Sequence, residues 1–281
     1  MIAGNGGGAF DVHHHVGSLA SFAGQGSTRA MTAQDDVATR LRYLDAHGIA
    51  QCLLLPAEYP AAGAEGGLTP VNDAVARYCS MAPDRFPAML AAVDQRDTGQ
   101  ALEEIDRCVE VHGVRGFVWH HHFLGTFLDD PRMRPLIARI HDHGLPVFVH
   151  LMASSFLESP WRLQSLADEF SETTFVALDG FSSVNQAQWM GYIAEKHPKI
   201  LFDTGMATSV SHGFVEFIDR VGAERLLFGS DFYSQPTFFT IPAMLYELVN
   251  SPIAPEDLRK VLGDNARRVL GVPALADGIV T

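Results

Sequence analysis

The segment Phe10-Asp11-Val12-His13-His14-His15 sets two imidazoles one residue apart at the end of a short apolar approach. On a strand over Ala9–His13 successive side chains face opposite ways, so His13 and His15 project together and His14 points away. Two neutral imidazoles on one edge suit a metal ion and leave room for further ligands and a water. Two other apolar runs also end in a polar residue: Pro146-Val147-Phe148-Val149 in His150, and Leu226-Leu227-Phe228-Gly229-Ser230 in Asp231. Brought to one point, three imidazoles and a carboxylate would hold one divalent cation, zinc first, with manganese, iron or cobalt also compatible. Such an ion lowers the pKa of bound water to roughly 7, and Asp231 is then the expected base. A second imidazole-rich run, Trp119-His120-His121-His122, follows another apolar segment. If His120 continues the inward face of Val118, it can bind substrate or relay a proton.

These groups work together only if the chain delivers them to one end of one scaffold. Val37, Leu41 and Leu44 recur at helical spacing, Gly48 follows as a left-handed stop, and Ile49 to Leu55 reads as a buried strand. The same order of helix, glycine and strand returns at Gly113 before Val114–Trp119, at Gly144 before Pro146–His150, and at Gly222 before Arg225–Phe228. Thr69-Pro70, Asp130-Pro131 and Ser159-Pro160 look like helix starts. Phe86–Val93, Thr174–Leu178 and Lys199–Asp203 complete a set of eight strands alternating with helices. Eight parallel strand–helix units close a (β/α)8 TIM barrel, here expected as one domain over residues 1–281, with a flexible lead-in at 1–8, a helical extension at Asp257–Leu270 and a tail at 273–281. His13, His15, His120–His122, His150 and Asp231 then fall at the carboxyl ends of strands, where barrel enzymes assemble their sites. His47, His112 and His143 each precede a helix-ending glycine and read as structural. His141 and His197 default to the surface, and His212 stays open.

Composition narrows the function. With 47% hydrophobic and 19% charged residues the chain reads as an ordinary soluble protein, with neither a secretory leader nor a membrane span. A formal charge of −13 repels phosphate backbones and anionic membranes, leaving a small molecule as the expected partner and a homodimer as the default assembly. Cys52, Cys79 and Cys108 are odd in number and far apart, fitting buried thiols in a reducing, cytoplasmic setting. The lysines are Lys196, Lys199 and Lys260, none at a strand's carboxyl end, which excludes a carboxylated lysine bridging two metals and a Schiff-base lysine. Nucleotide-binding glycine motifs and a Gly-x-Ser-x-Gly elbow are absent.

Taken together, Asp11-Val12-His13-His14-His15, Leu128-Asp129-Asp130-Pro131-Arg132, Gly144–His150, Phe228-Gly229-Ser230-Asp231 and Gly263-Asp264-Asn265-Ala266-Arg267-Arg268-Val269-Leu270 resemble, in order, the amidohydrolase superfamily. The resemblance is to its amidohydrolase-related (amidohydrolase 2) branch, which holds aromatic-acid decarboxylases and lactone hydrolases. It implies His13, His15, His150 and Asp231 as ligands of a single metal, with Asp231 also handling a proton. Related sites carry a further histidine at the end of strand six, whereas this chain reads Val176-Ala177-Leu178-Asp179-Gly180-Phe181, so either Asp179 or a neighbouring group replaces it or the mechanism dispenses with it. Phe22, Tyr59, Trp119, Phe123, Met152, Phe156, Phe232, Tyr233 and Phe238 at the expected mouth suggest a flat or cyclic substrate, with Trp119, Tyr233 and Asp179 as its candidate contacts. The leading expectation is hydrolysis of a small cyclic or aromatic amide, ester or lactone by metal-activated water, with Asp231 as base and His120 assisting. The alternative is metal-dependent nonoxidative decarboxylation of an aromatic or dienoic acid, and a barrel that only binds a ligand is the third reading.

Overall fold

The computed structural model describes residues 8–17, 31–152, 154–207, 211–235 and 237–273. Phe22, most of the lead-in and the tail beyond 273 lie outside the described residues, as do the side chains of His212 and Phe238. The strands β1 (Ala9–Val16), β2 (Ile49–Pro56), β3 (Ala88–Met89), β4 (Phe117–Trp119), β5 (Val147–His150), β6 (Phe175–Leu178), β7 (Ile200–Asp203) and β8 (Leu226–Leu227) run in parallel order. A parallel bridge between Ala91 and Phe117 joins β3 to β4. Val12 N–H donates to the Phe228 carbonyl at 3.0 Å and closes β8 onto β1. The result is the expected α/β barrel. Three strands are shorter than the runs that predict them: β4 starts at Phe117 rather than Val114, and beyond β3 and β8 the pairing continues as single hydrogen bonds, such as Leu90 N–H to Leu54 O at 2.8 Å.

Alternate side chains divide between two cores. Phe10, Val12, Leu53, Leu55, Leu90, Val118, Phe148, Val176, Leu178, Leu201 and Leu227 fill the barrel interior. Leu54, Phe117, Trp119, Val149, Phe175 and Phe202 face the surrounding helices. Each large apolar side chain buried this way stabilises the fold by about 1.5–3 kcal/mol. The helical extension, helices Pro255–Arg259 and Asn265–Leu270 joined by a wide turn, braces the strands from below. Asn265 Nδ2 donates to the carbonyls of Ala223 and Leu226 at 2.8 and 2.9 Å, and Arg267 packs over the Phe10 ring. No helix among the described residues is long and apolar enough to cross a membrane.

His47, His112 and His143 serve the helix layer as expected: His112 and His143 bond Asp73 and Asp106 at 2.7 and 2.8 Å, and His47 bonds the Tyr246 hydroxyl at 2.8 Å. His197 departs from its surface assignment: it is only 8% exposed, with its Nε2 3.7 Å from Asp168 Oδ1. Cys52 and Cys108 are fully buried and Cys79 partly so, and burial pushes the Cys79 thiol up to about 12.

Candidate metal centre

Strict alternation along β1 would place Phe10 and Val12 on the face opposite His13 and His15. The structure departs from it. Asp11 pairs with Cys52 and His14 with Leu54, so β1 advances three residues while β2 advances two. The extra residue is a bulge that resets the side-chain phase. Phe10 and Val12 stay in the barrel core, yet His13 and His15 above them also turn inward and His14 turns out, onto Phe232 and Tyr43. Asp11 pins this kink: its carboxylate accepts from His13 N–H at 3.0 Å, Ser230 N–H at 2.9 Å and the Ser230 hydroxyl at 2.5 Å.

Three imidazole edges meet at the carboxyl end of the barrel. His13 Nε2 lies 2.9 Å from His15 Nε2 and 3.3 Å from His150 Nε2, and Asp231 Oδ1 lies 3.2 Å from both His13 and His15 Nε2. Each ring is anchored through its other nitrogen: His13 Nδ1 on Asp203 Oδ2 at 2.7 Å, His15 Nδ1 on the Pro56 carbonyl at 3.2 Å, and His150 Nδ1 on the Trp119 carbonyl at 2.8 Å. Acceptors at all three Nδ1 atoms favour the tautomer with its hydrogen there, which leaves every Nε2 as a lone pair. Three lone pairs and a carboxylate facing one another while buried repel unless a cation lies between them. The donor set therefore fits one divalent metal ion.

The surrounding carboxylates likewise favour positive charge at this point, which either a metal ion or a second proton on His13 can supply. Burial works against a charged His13, but Asp231, Asp203 and Asp179 outweigh it and lift the imidazole to about 10. Burial holds His15 and His150 well below the ordinary histidine range, with positive neighbours adding to the effect. Burial also pushes Asp231 up to about 7, against the pull of His13 and with help from Asp203 and Asp11. Asp179, from the end of β6, is raised well above the usual carboxylate range by burial and then by Asp231. Asp179 and Asp231 both have positive φ, 61° and 58°, an uncommon backbone for a residue other than glycine and one that clusters at functional sites. Gly205 leaves the space these groups need: a Cβ there would lie 2.5 Å from His13 Nδ1 and 2.8 Å from Asp179 Oδ1.

His120 joins from β4. Its ring stacks on His150 at 4.2 Å and 13°, and its Nδ1 lies 2.7 Å from Glu158 Oε1. Glu158 is fully buried and also accepts from His122 N–H at 2.8 Å. His121 turns away, toward Gln95 and Thr126. Tyr233 stacks on His15 at 4.1 Å and 14°, and the Phe123 ring meets His120 at 4.1 Å with a tilt of 45°, so two aromatic rings flank the cluster. Trp119 does not join them. It lies between inward Val118 and inward His120, so alternation sends its indole into the strand–helix layer, and only its carbonyl reaches the site. Asp203 and Glu158 were missed by sequence reasoning. Asp203 ends an apolar strand just as His150 does, and that signal is legible; Glu158 closes a single 3-10 turn (Phe156–Glu158) after β5 and gives none.

A family model described as Amidohydrolase (Amidohydro_2) matches residues 10–272. The gamma-resorcylate decarboxylase of Rhizobium sp. (strain MTP-10005) is 32% identical over 135 residues, a stretch covering 43% of this chain and 40% of that relative. Among solved structures, 2,6-dihydroxybenzoate decarboxylase from Rhizobium superposes with a TM-score of 0.71 at 20% identity, covering 94% of this chain and 98% of the other. A dihydroxybenzoic acid decarboxylase from Polaromonas sp. JS666, with bound manganese and the inhibitor 2-nitroresorcinol, superposes with a TM-score of 0.73 at 18% identity, covering 95% and 97%. The leading expectation of hydrolysis is overturned by these matches, since the relative that shares sequence is named for decarboxylation. With the family model spanning both the barrel and the cluster of His13, His15, His150 and Asp231, the chain belongs to the amidohydrolase family.

Proposed function

We propose that this protein is a metal-dependent nonoxidative decarboxylase of a small aromatic or dienoic acid. The observation that carries the reading is the likeness in sequence to proteins named gamma-resorcylate decarboxylase; the three Nδ1-anchored imidazoles and Asp231, beside the rings of Tyr233 and Phe123, offer the metal site such a reaction would use. His13, His15, His150 and Asp231 would hold one divalent ion, and the manganese in the Polaromonas structure makes that ion the first choice over zinc. When bound, the ion supplies positive charge that orients the substrate carboxylate.

The reaction breaks the bond between a ring or chain carbon and its carboxylate. The bonding electrons stay on the carbon, carbon dioxide leaves, and a proton takes its place, so no oxidant or reductant is needed. We assign proton delivery to Asp231 and His120. Glu158 occupies His120 Nδ1 and leaves Nε2 as the working edge of that ring. Asp179 stands where the resemblance implies a histidine and keeps a second carboxyl beside His13, 3.8 Å from its Nδ1. Tyr233 and Phe123 would sandwich a flat substrate and exclude water.

The test is carbon dioxide release from hydroxybenzoic and dienoic acids by manganese-loaded protein. Release that stops on chelation is expected. Fully loaded protein that liberates no carbon dioxide from any of these acids contradicts the assignment.

A further inference from the structure

Arg40, on α1 (Ala33–His47), is a fully buried cation outside the metal centre. Its Nε lies 3.0 Å from Asp36 Oδ1, and Asp36 Oδ2 accepts from the Tyr78 hydroxyl at 2.9 Å. The guanidinium also reaches across to the segment after β8. Nη2 donates to Ser234 Oγ at 2.8 Å, and the group packs over the Phe232 ring, 5.6 Å from its centroid. Phe232 is held in addition by Tyr43 and His14, with ring centroids at 4.3 and 4.5 Å. Arg40 thus grips the two residues that flank Tyr233, one of them next in sequence to the ligand Asp231.

A buried ion pair is a poor way to gain stability, because desolvation offsets most of the attraction and an apolar substitute of similar volume is often as good or better. Its value here is local. Asp231 needs a left-handed backbone, φ 58°, that persists only when neighbouring structure over-determines it. Phe232 supplies part of that restraint by pairing with β1, through Phe232 N–H to His13 O at 3.3 Å and His15 N–H to Phe232 O at 2.9 Å. Arg40 supplies the rest from the helix side.

We propose that Arg40, with Asp36, is a positioning residue that clamps residues 231–235 and so sets Asp231 against the imidazoles and Tyr233 over His15. The clamp rests on the metal-centre reading for its purpose, but not for its detection. In the triple variant Asp36→Leu, Arg40→Met, Tyr78→Phe, no member of the pair is left buried without its partner. Expected are an unchanged or higher melting temperature and at least about tenfold faster amide hydrogen exchange at 231–235, with β5 to β7 unaffected. Manganese affinity should fall about 10- to 100-fold, the range for residues that orient metal ligands from behind. Exchange at 231–235 as slow as in the parent would overturn the clamp. So would a variant that loses overall stability in step with metal affinity. A parent protein that takes up no manganese would refute the metal-centre reading instead, and the exchange rates would still judge the clamp.

Discussion

The two histidine triplets sit at the same end of the barrel with opposite yields. His13-His14-His15 contributes two imidazoles to the candidate metal site, because a bulge in β1 resets the phase and turns both inward. His120-His121-His122 contributes one ring to the mouth, because the chain leaves β4 after Trp119 and enters the short helix α4 (His121–Leu124). His121 is carried behind the site against Gln95 and Thr126, and His122 serves Glu158 through its backbone N–H. Imidazole content is therefore no count of ligands. Backbone phase at the strand's end decides which rings reach the cluster.

The largest expected effect falls on the partner of the first triplet. Asp231→Asn removes the carboxylate that faces His13 and His15 at 3.2 Å, and should cut the rate of carbon dioxide release at least about 10³-fold with the circular dichroism unchanged. Activity within tenfold of the parent would remove Asp231 from the chemistry.

A smaller effect, visible in stability, separates His121 from its neighbour. Burial, with the charge of His120 adding, lowers His121 from 6.5 to about 3. A depressed folded-state value means that its contribution is complete above pH 6.5 and is lost as the pH falls from 6.5 toward 3, where the unfolded chain binds the proton first. His121→Gln should flatten the fall in urea midpoint over that window and leave activity at pH 7 within about threefold. An equally steep fall in the variant would show that His121 is not a source of acid lability.

Much of the fold was legible. Apolar runs ended by a helix-stopping glycine at one side and a polar residue at the other located the strands, and His150 and Asp231 stood out as polar ends of buried runs. The bulge was not legible, because a sequence gives the alternation of one strand but not its register against the next. Trp119 was misplaced for a related reason: its neighbour His120 sets the inward parity, and the two cannot both face the mouth. The apolar stripe expected on α1 holds at Val37 and Leu44 and departs at one position. The Val37, Leu41, Leu44 stripe leaves Leu41 only half-buried, whereas Arg40 is buried with Val37, Tyr43 and Leu44. Only a tertiary partner such as Ser234 makes an arginine acceptable there. The hydrolytic expectation failed because a metal-ligand set fixes where charge is stabilised, not which bond breaks.

The central claim is that the first triplet binds the ion and the second does not. Metal content of the parent, His15→Ala and His120→Ala, each purified in manganese and desalted, tests it directly. The account predicts about one ion per chain in the parent and in His120→Ala, and under about a tenth in His15→Ala. Full occupancy in His15→Ala, or loss of the ion from His120→Ala, would contradict it.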